Sequence, residues 1–185
     1  MENRERNILE AATQVFLRYG VKRASMGDIA AEAGVARQTL YNIYANKDDI
    51  LRGSIAMYGE DAMAAIEAEL PERRSVKDQV ALVLREMTLK PYVFLHSSPN
   101  AQDLIEGYNE AGRNEMEANY TAFQAILTRI LAVQATNLEA KGLSADLLAE
   151  IIRRAATAFK YQASDEAHLS ELIDGLLAVV SSVAE

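Results

Sequence analysis

Apolar residues recur along this sequence at the three- and four-residue spacing of α-helices, and no segment shows the strict alternation of a half-buried strand. The first such stripe consists of Ile8, Ala12, Val15 and Tyr19, widened by Leu9 and Phe16. Only three prolines and nine glycines interrupt the 185 residues, and the helix-favouring alanine, leucine and glutamate are abundant. These features predict an all-α protein.

Capping and breaking residues divide the chain into about nine helices. Ser25, with Asp28 three residues later, is expected to cap the second helix. Gly20 and Gly34 are placed to end the first two helices, because glycine readily adopts the left-handed conformation found at helix C-termini. Further stops are expected at Pro71, Pro91 and Pro99. The predicted helical ranges are 4–19, 25–34, 36–43, 46–70, 75–89, 101–112, 115–140, 144–162 and 165–183.

Composition excludes several classes of site. With no cysteine and only two histidines, the chain has no disulfide framework, no thiolate zinc site and too few imidazoles for a histidine metal centre. It also contains no Gly-x-Ser-x-Gly elbow, HExxH pair, phosphate-binding loop or dinucleotide fingerprint. We therefore expect no catalytic residue, no metal and no cofactor, and a protein that is not an enzyme.

The sequence gives no sign of a membrane partner. No stretch approaches the roughly 20 apolar residues of a membrane span. The first six residues include four charged side chains, which is unlike the start of a secretory signal. A soluble, cytoplasmic protein is expected.

Charge is distributed unevenly along the chain, whose net charge is −8. Residues 1–52 contain eight Lys and Arg against seven Asp and Glu, whereas residues 53–185 contain eleven against twenty. A near-neutral N-terminal part joined to an acidic remainder indicates two functions in one chain. We predict two domains, residues 1–46 and residues 47–185.

The segment Ser25–Tyr44 fits the plan of a helix-turn-helix, in which a tight turn containing glycine joins two short helices. Leu40 in the second helix is expected to face the core, so that the polar residues of this helix project elsewhere; these are Arg37, Gln38, Thr39, Tyr41 and Asn42. Arginine can grip guanine, glutamine or asparagine can pair with adenine, and a threonine methyl can contact thymine. The alternative is an ordinary helical hairpin with a solvated polar face.

A longer run of residues extends this pattern, namely Ile29-Ala30, Gly34-Val35, Thr39-Leu40-Tyr41, Tyr44 and Lys47. Over about residues 5–52 the chain resembles the N-terminal signature of TetR-type transcriptional regulators. The resemblance implies a three-helix DNA-binding domain followed by a helical-bundle domain for ligand binding and dimerisation. It also implies sequence-specific binding to double-stranded DNA, with repression as the usual outcome in the family.

The resemblance further implies roles for individual residues. Ser25 matches the phosphate-contacting residue that starts the family's second helix, Tyr41 the aromatic that rests on the DNA backbone, and Lys47 the cation that pairs with a phosphate. Three residues differ from the commoner family choices, namely Ala36, Gln38 and Tyr44. The first leaves the recognition helix without a side-chain cap, and the second adds a candidate base contact. The third offers a hydroxyl to a phosphate or simply to water.

The last two predicted helices, 144–162 and 165–183, carry more apolar residues than one core-facing stripe requires. The excess indicates a second surface that is buried, and the simplest partner is the same pair of helices from another copy. A homodimer also suits the family resemblance, because twofold proteins bind palindromic operators. The alternative is a central helix that is fully buried in a monomer.

An effector site, if the protein has one, is expected in the middle of the chain. The candidate lining residues are Tyr92, Phe94, His96, Tyr108, Tyr120 and Phe123, because aromatic walls with a few hydroxyls are typical of small-molecule sites. Core packing is the alternative for each of them. Gly53 and Gly59 weaken the long fourth helix, which makes it the expected lever between effector and DNA.

These observations predict a cytoplasmic, nucleoid-associated transcriptional regulator, a homodimer that an unknown small molecule releases from a palindromic operator. The alternative is a helical protein-interaction adaptor whose DNA-binding module is vestigial. A selection on random duplexes separates the two, because an adaptor enriches no palindrome.

Overall fold

A computed structural model of the chain describes residues 3–100 and 111–184, and all regular structure within these residues is helical. The predicted all-α class is confirmed. The α-helices are α1 (Asn3–Tyr19), α2 (Met26–Glu32), α3 (Arg37–Ile43), α4 (Lys47–Glu69), α5 (Val76–Leu84), α6 (Lys90–His96), α7 (Arg113–Leu131), α8 (Ala135–Ala140), α9 (Ala145–Gln162) and α10 (Glu166–Ala184). Short 3-10 turns follow α4 at Leu70–Glu72 and α7 at Ala132–Gln134.

The helix ends follow the local signals in the sequence. Gly20 and Gly34 both have positive φ angles, 81° and 65°, as expected of residues that end helices in the left-handed region. Ser25 and Ser144 cap α2 and α9 through their side-chain oxygens. The predicted helix 101–112 falls largely outside the described residues.

Pro91 does not stop the helix that precedes it, so the predicted break after residue 89 is wrong. A five-residue π-turn at Arg85–Leu89 joins α5 to α6, and the Lys90 N–H bonds to the Arg85 carbonyl five residues back. A proline ring normally meets the carbonyl four residues before it. Here a π-turn with wider hydrogen-bond spacing precedes the proline, and the helical path continues through Pro91 to His96.

The chain divides into two compact units. The N-terminal unit comprises residues 1–61 and 94–119, and the C-terminal unit comprises residues 62–93 and 120–185. In the N-terminal unit, α1 packs on α2 and α2 on α3. The side chains that are fully buried at its centre are Ile8, Leu9, Phe16, Ile29, Leu40, Ile50 and Leu51. Each such burial contributes about 1.5–3 kcal/mol, so this small unit has a core of its own.

In the C-terminal unit, α10 packs on α5, and α9 packs on both α10 and the π-turn. Its fully buried residues include Val80, Val83, Leu84, Leu127, Leu131, Ile152, Leu169 and Val180. The predicted division into a domain of residues 1–46 and a domain of residues 47–185 concerns function, and it stays a prediction.

By its length and hydropathy, α10 is long and apolar enough to cross a membrane. This differs from the expectation that no stretch of the chain reaches that length and hydropathy. Core helices of soluble proteins can be equally long and apolar, because burial in a core also favours apolar segments. In α10 one stripe, formed by Leu169, Ile173, Leu177 and Val180, lies in the core of the C-terminal unit.

Candidate nucleic-acid interface

The first element of the candidate interface is the capped start of α2. Ser25 Oγ accepts a hydrogen bond from the Asp28 N–H at 3.2 Å, and the Ser25 N–H donates to Asp28 Oδ2 at 3.0 Å. The Ser25 hydroxyl donates to the same carboxylate at 2.6 Å. These bonds from Ser25 hold the pKa of Asp28 below its ordinary value. Ser25 is exposed, so its hydroxyl is both a helix cap and accessible from outside.

The turn between α2 and α3 has a fixed geometry. Gly34 adopts a positive φ, and the N–H of Val35 donates to the Ala30 carbonyl at 3.0 Å, which closes the end of α2. Leu40 is completely buried beside Ile29, as predicted, and anchors α3 in the core. The orientation of α3 in this unit is therefore set by packing as well as by the turn.

The outer face of α3 is polar and exposed. Arg37, Gln38, Tyr41 and Asn42 are exposed, and Thr39 is half-buried. Tyr41 is 51% exposed, so half of this large aromatic side chain is accessible to solvent. No side chain caps the start of α3 at Ala36, as predicted. The polar set is thus available to a ligand outside the unit.

Two contacts order this face before any ligand is bound. Gln38 Nε2 donates to Asn42 Oδ1 at 3.0 Å, one turn along the helix. The Arg37 guanidinium lies against Gly27 in the first turn of α2, where an added Cβ would stand 2.0 Å from Arg37 Nη2. Gly27 therefore provides the space that Arg37 occupies. The sequence analysis missed this role, although a glycine inside a short helix was a signal for it.

Lys47 is placed differently from the simple phosphate contact that the family resemblance implies. Its ammonium donates to the carbonyl oxygens of Val21, Lys22 and Ala24, the last at 3.0 Å. These three carbonyls match the three hydrogens of an ammonium group. Lys47 thus ties the start of α4 to the turn that leads into Ser25, and a phosphate contact would have to share or replace these bonds.

Neighbouring residues also make internal contacts. Arg23 Nε donates to the Tyr19 carbonyl at 2.8 Å, and its Nη2 donates to Asn100 Oδ1 at 2.8 Å. Tyr44 is half-buried, and its ring lies 3.5 Å from where a Cβ on Gly53 would be. Burial, and then the charge of Glu5, raises the pKa of Tyr44, so its hydroxyl is neutral at pH 7.

The predicted effector residues fall in both units. In the C-terminal unit, Tyr92 and Phe123 are buried in the core and Tyr120 is half-buried. In the N-terminal unit, Phe94 is half-buried and His96 is exposed. Tyr108 lies outside the described residues. Their role in binding an effector stays a prediction.

Comparison with known proteins gives a family match in the same part of the chain and several partial relatives. The family model for bacterial regulatory proteins of the tetR family matches residues 8–53. The uncharacterized HTH-type transcriptional regulator YezE of Bacillus subtilis is 33% identical over 79 residues, which are 43% of this chain and 41% of YezE. The HTH-type transcriptional repressor LfrR of Mycolicibacterium smegmatis is 34% identical over 101 residues, 54% of this chain and 52% of LfrR. The matches thus span about half the length of these relatives or less.

The whole fold has a counterpart among solved structures. A crystal structure of the transcriptional regulator FadR from Bacillus subtilis in complex with stearoyl-CoA superposes with a TM-score of 0.71. The two chains are 21% identical, and the match covers 96% of this chain and 97% of the FadR chain. At this identity the likeness extends to the fold.

Proposed function

We propose that this chain is a sequence-specific DNA-binding regulator of transcription of the TetR family, whose model matches residues 8–53. The observation that carries the proposal is the outer face of α3, where four polar side chains are exposed while Leu40 is buried. An α-helix of this kind fits the major groove of B-DNA. Recognition helices place their N-terminal residues at base edges, which favours Arg37 and Gln38 as the residues that read sequence.

The remaining candidate residues serve affinity and register. Contacts with phosphates fix a protein on the duplex and carry no sequence information. Ser25 and Tyr41 are exposed and suit this role, and Thr39, Asn42 and Tyr44 adjoin them on or just beyond α3. Lys47 adds a positive charge at the start of α4, either on a phosphate directly or by holding the turn before Ser25.

We further propose that the protein is a homodimer on a palindromic operator. Large apolar side chains are exposed on both of the last helices, with Leu147 45% and Ile151 44% exposed on α9 and Val179 57% exposed on α10. An added Cβ at Gly175 of α10 would meet no atom within 4 Å, which leaves room for a close helix contact. A second copy of the same pair of helices covers such a surface with a twofold interface.

A small-molecule effector and a repressing role complete the proposal. LfrR is named as a repressor, and the FadR structure contains stearoyl-CoA, which supports a ligand-responsive role for a chain of this fold. An effector weakens DNA binding only through its differential affinity for two conformers, a coupling of about 1–3 kcal/mol in typical cases. Residues 1–46 then serve as the DNA-binding domain and residues 47–185 as the effector and dimerisation domain. DNA is the partner, so the protein works in the cytoplasm at the nucleoid, and the regulators that it resembles give no reason to expect catalysis.

Selection of random DNA duplexes with the full-length protein tests this proposal. We expect enrichment of a palindrome whose half-sites lie about one helical turn or a multiple of it apart. Enrichment of no sequence above the input would contradict sequence-specific binding and would leave a protein-interaction adaptor. Arg37→Ala, assayed on the enriched site, then connects the result to α3.

A further inference from the structure

A lysine is buried in the C-terminal unit without a carboxylate partner. Lys160 on α9 shows 7% of its surface, and none of the ion pairs within residues 3–100 and 111–184 includes it. Burial lowers the pKa of Lys160 to about 8, so the ammonium is still charged at pH 7. A buried charge is costly unless it is paired, and this one has no counter-charge in the described part of the chain.

The surroundings of this ammonium are aromatic and cationic. Lys160 Nζ donates to the Tyr120 hydroxyl at 3.2 Å, and it lies 5.3 Å from the centre of the Tyr120 ring and 4.9 Å from that of Tyr161. The guanidinium carbon of Arg153 lies 5.9 Å from the same Tyr120 ring. Arg153 and Lys160 are two helical turns apart on α9 and share one face. Two cations therefore converge on one tyrosine.

The helix that carries these cations packs on a second unusual feature. The π-turn Arg85–Leu89 contacts α9, and π-turns inside helices often occur at functional sites. Thr88 in this turn is completely buried, and its hydroxyl has no hydrogen-bond partner among the residues that the structure describes. Buried hydroxyls are normally satisfied, so this part of the unit has polar groups that its own core leaves unpaired.

The ammonium lies close to the surface. The centre of the Tyr161 ring lies 4.9 Å from the ammonium, and Tyr161 is 45% exposed, so a partly exposed side chain adjoins Lys160. Ala156, one turn before Lys160 on α9, and Phe123, one turn after Tyr120 on α7, are both buried in the core of this unit. A ligand bound at the ammonium thus meets positive charge, and the apolar core of the unit lies one helical turn away.

We propose that Lys160 and Arg153 bind the anionic head of the effector, a carboxylate attached to an apolar body. This inference rests on the proposed function as an effector-controlled regulator, and it names the chemical class of that effector. A single carboxylate neutralises the ammonium and accepts hydrogen bonds from Lys160 and from the Arg153 guanidinium. A carboxylate carries a single charge, so it costs less to bury than a dianionic phosphate group.

Isothermal titration calorimetry on the full-length protein without DNA tests the site. The probes are decanoate, decanol as its neutral counterpart, and inorganic phosphate as a head group without a body. We expect decanoate to bind at least about tenfold more tightly than decanol, because a buried charged hydrogen bond is gained. Lys160→Met should bind both with similar affinity, whereas Lys160→Arg should retain part of the preference.

Arg129→Met is the matched control, because Arg129 on α7 is an exposed cation of the same unit, pairs with Glu67 at 2.6 Å and lies outside α9 and α10. It should bind decanoate as the unaltered protein does. The proposal is overturned if the unaltered protein does not prefer decanoate to decanol, or if Lys160→Met keeps the preference. Phosphate binding as tight as that of decanoate would also overturn it, since the apolar body would then contribute nothing.

Binding of DNA is measured separately by gel shift, so the two proposals fail independently. A protein that selects a palindrome but does not discriminate decanoate from decanol loses only the carboxylate site. A protein that discriminates the two ligands but selects no DNA keeps the site and loses the proposed regulatory function.

Discussion

At the scale of single residues, burial of Lys160 gives the protein a specific pH dependence. The unfolded state binds the proton more tightly than the native state between pH 8 and the ordinary lysine pKa of 10.5, so stability rises with pH across this window. The charged and titratable groups beside the ammonium are Tyr120, Tyr161 and Arg153. The cost of the buried charge is thus fully present at pH 7.

We predict that Lys160→Met raises the free energy of unfolding at pH 7 by about 1–3 kcal/mol. The gain should shrink as the pH rises from 8 to 9.5, because the unaltered protein then loses the charge. Urea unfolding at pH 7 and pH 9.5 measures the difference, with Arg129→Met as the control that should show no such trend. A gain of equal size at both pH values would show that charge burial is not its cause.

Arg37 is the residue from which we expect the largest effect on DNA specificity. Arg37→Ala should weaken binding to the selected operator by about 1–3 kcal/mol and relax the preference at one base position. Gly27→Ala should have a similar but smaller effect, because its methyl group takes the space of the guanidinium, while the flexible side chain can move without unfolding the unit. Repeating the duplex selection with each variant measures both effects. An unchanged operator preference in Arg37→Ala would remove Arg37 from base recognition.

Lys47 can serve DNA binding in two ways, by holding the turn before Ser25 or by contacting a phosphate, and the variant Lys47→Ala separates them. If Lys47 acts through its hydrogen bonds to three carbonyl oxygens, it contributes to stability. Lys47→Ala should then lower the free energy of unfolding by about 1–2 kcal/mol. As a phosphate contact, its loss should also weaken all DNA sequences alike and reduce the slope of log affinity against log salt by about one. Gel shifts across a salt series decide between them. A loss of stability with an unchanged slope of log affinity against log salt would mean that Lys47 acts only through its hydrogen bonds to the carbonyl oxygens.

At the scale of elements, the two glycines of α4 have packing roles that differ from the expected hinge. An added Cβ at Gly53 would lie 2.9 Å from Leu9 Cδ2, and one at Gly59 would lie 2.0 Å from Asn119 Oδ1. Asn119 Nδ2 also donates to the Ile55 carbonyl at 3.1 Å, which fastens α7 to α4 within the N-terminal unit. Both glycines thus leave space for a side chain of another helix, which a larger residue would displace.

We predict that Gly59→Ala destabilises the protein on its own, because Asn119 must leave its place. In the background of Asn119→Ala the same change should be stabilising by up to about 1 kcal/mol, since alanine favours the helix over glycine. Thermal unfolding of the four proteins of this cycle measures the coupling. Equal effects of Gly59→Ala in both backgrounds would contradict the packing explanation and favour the hinge.

At the scale of the whole molecule, the proposed dimer makes a prediction about the exposed faces of α9 and α10. Ile151→Glu and Val179→Glu should each shift the protein towards monomer and weaken operator binding, because both place a charge in the proposed twofold interface. Val133→Glu is the matched control, since Val133 is 72% exposed in the same unit but lies outside α9 and α10. Analytical ultracentrifugation measures the change. A monomeric unaltered protein, or equal behaviour of all three variants, would rule out this interface.

The sequence determined the features whose causes are local. The all-α class follows from the spacing of apolar residues, and the ends of α1 and α2 follow from Gly20 and Gly34. The capping box of Ser25 and the burial of Leu40 needed only residues within one or two turns. Because these features depend on short-range geometry and on period, a single sequence was sufficient to predict them.

Only the tertiary structure decided where distant residues meet. The ammonium of Lys47 reaches carbonyls more than 20 residues away, Gly27 makes room for Arg37, and Lys160 is buried against Tyr120 from another helix. Pro91 continues a helix because a π-turn precedes it, and no local rule predicted that turn. A side chain's partners depend on how whole helices pack, and packing is a property of many residues at once, which the pattern of any one segment does not contain.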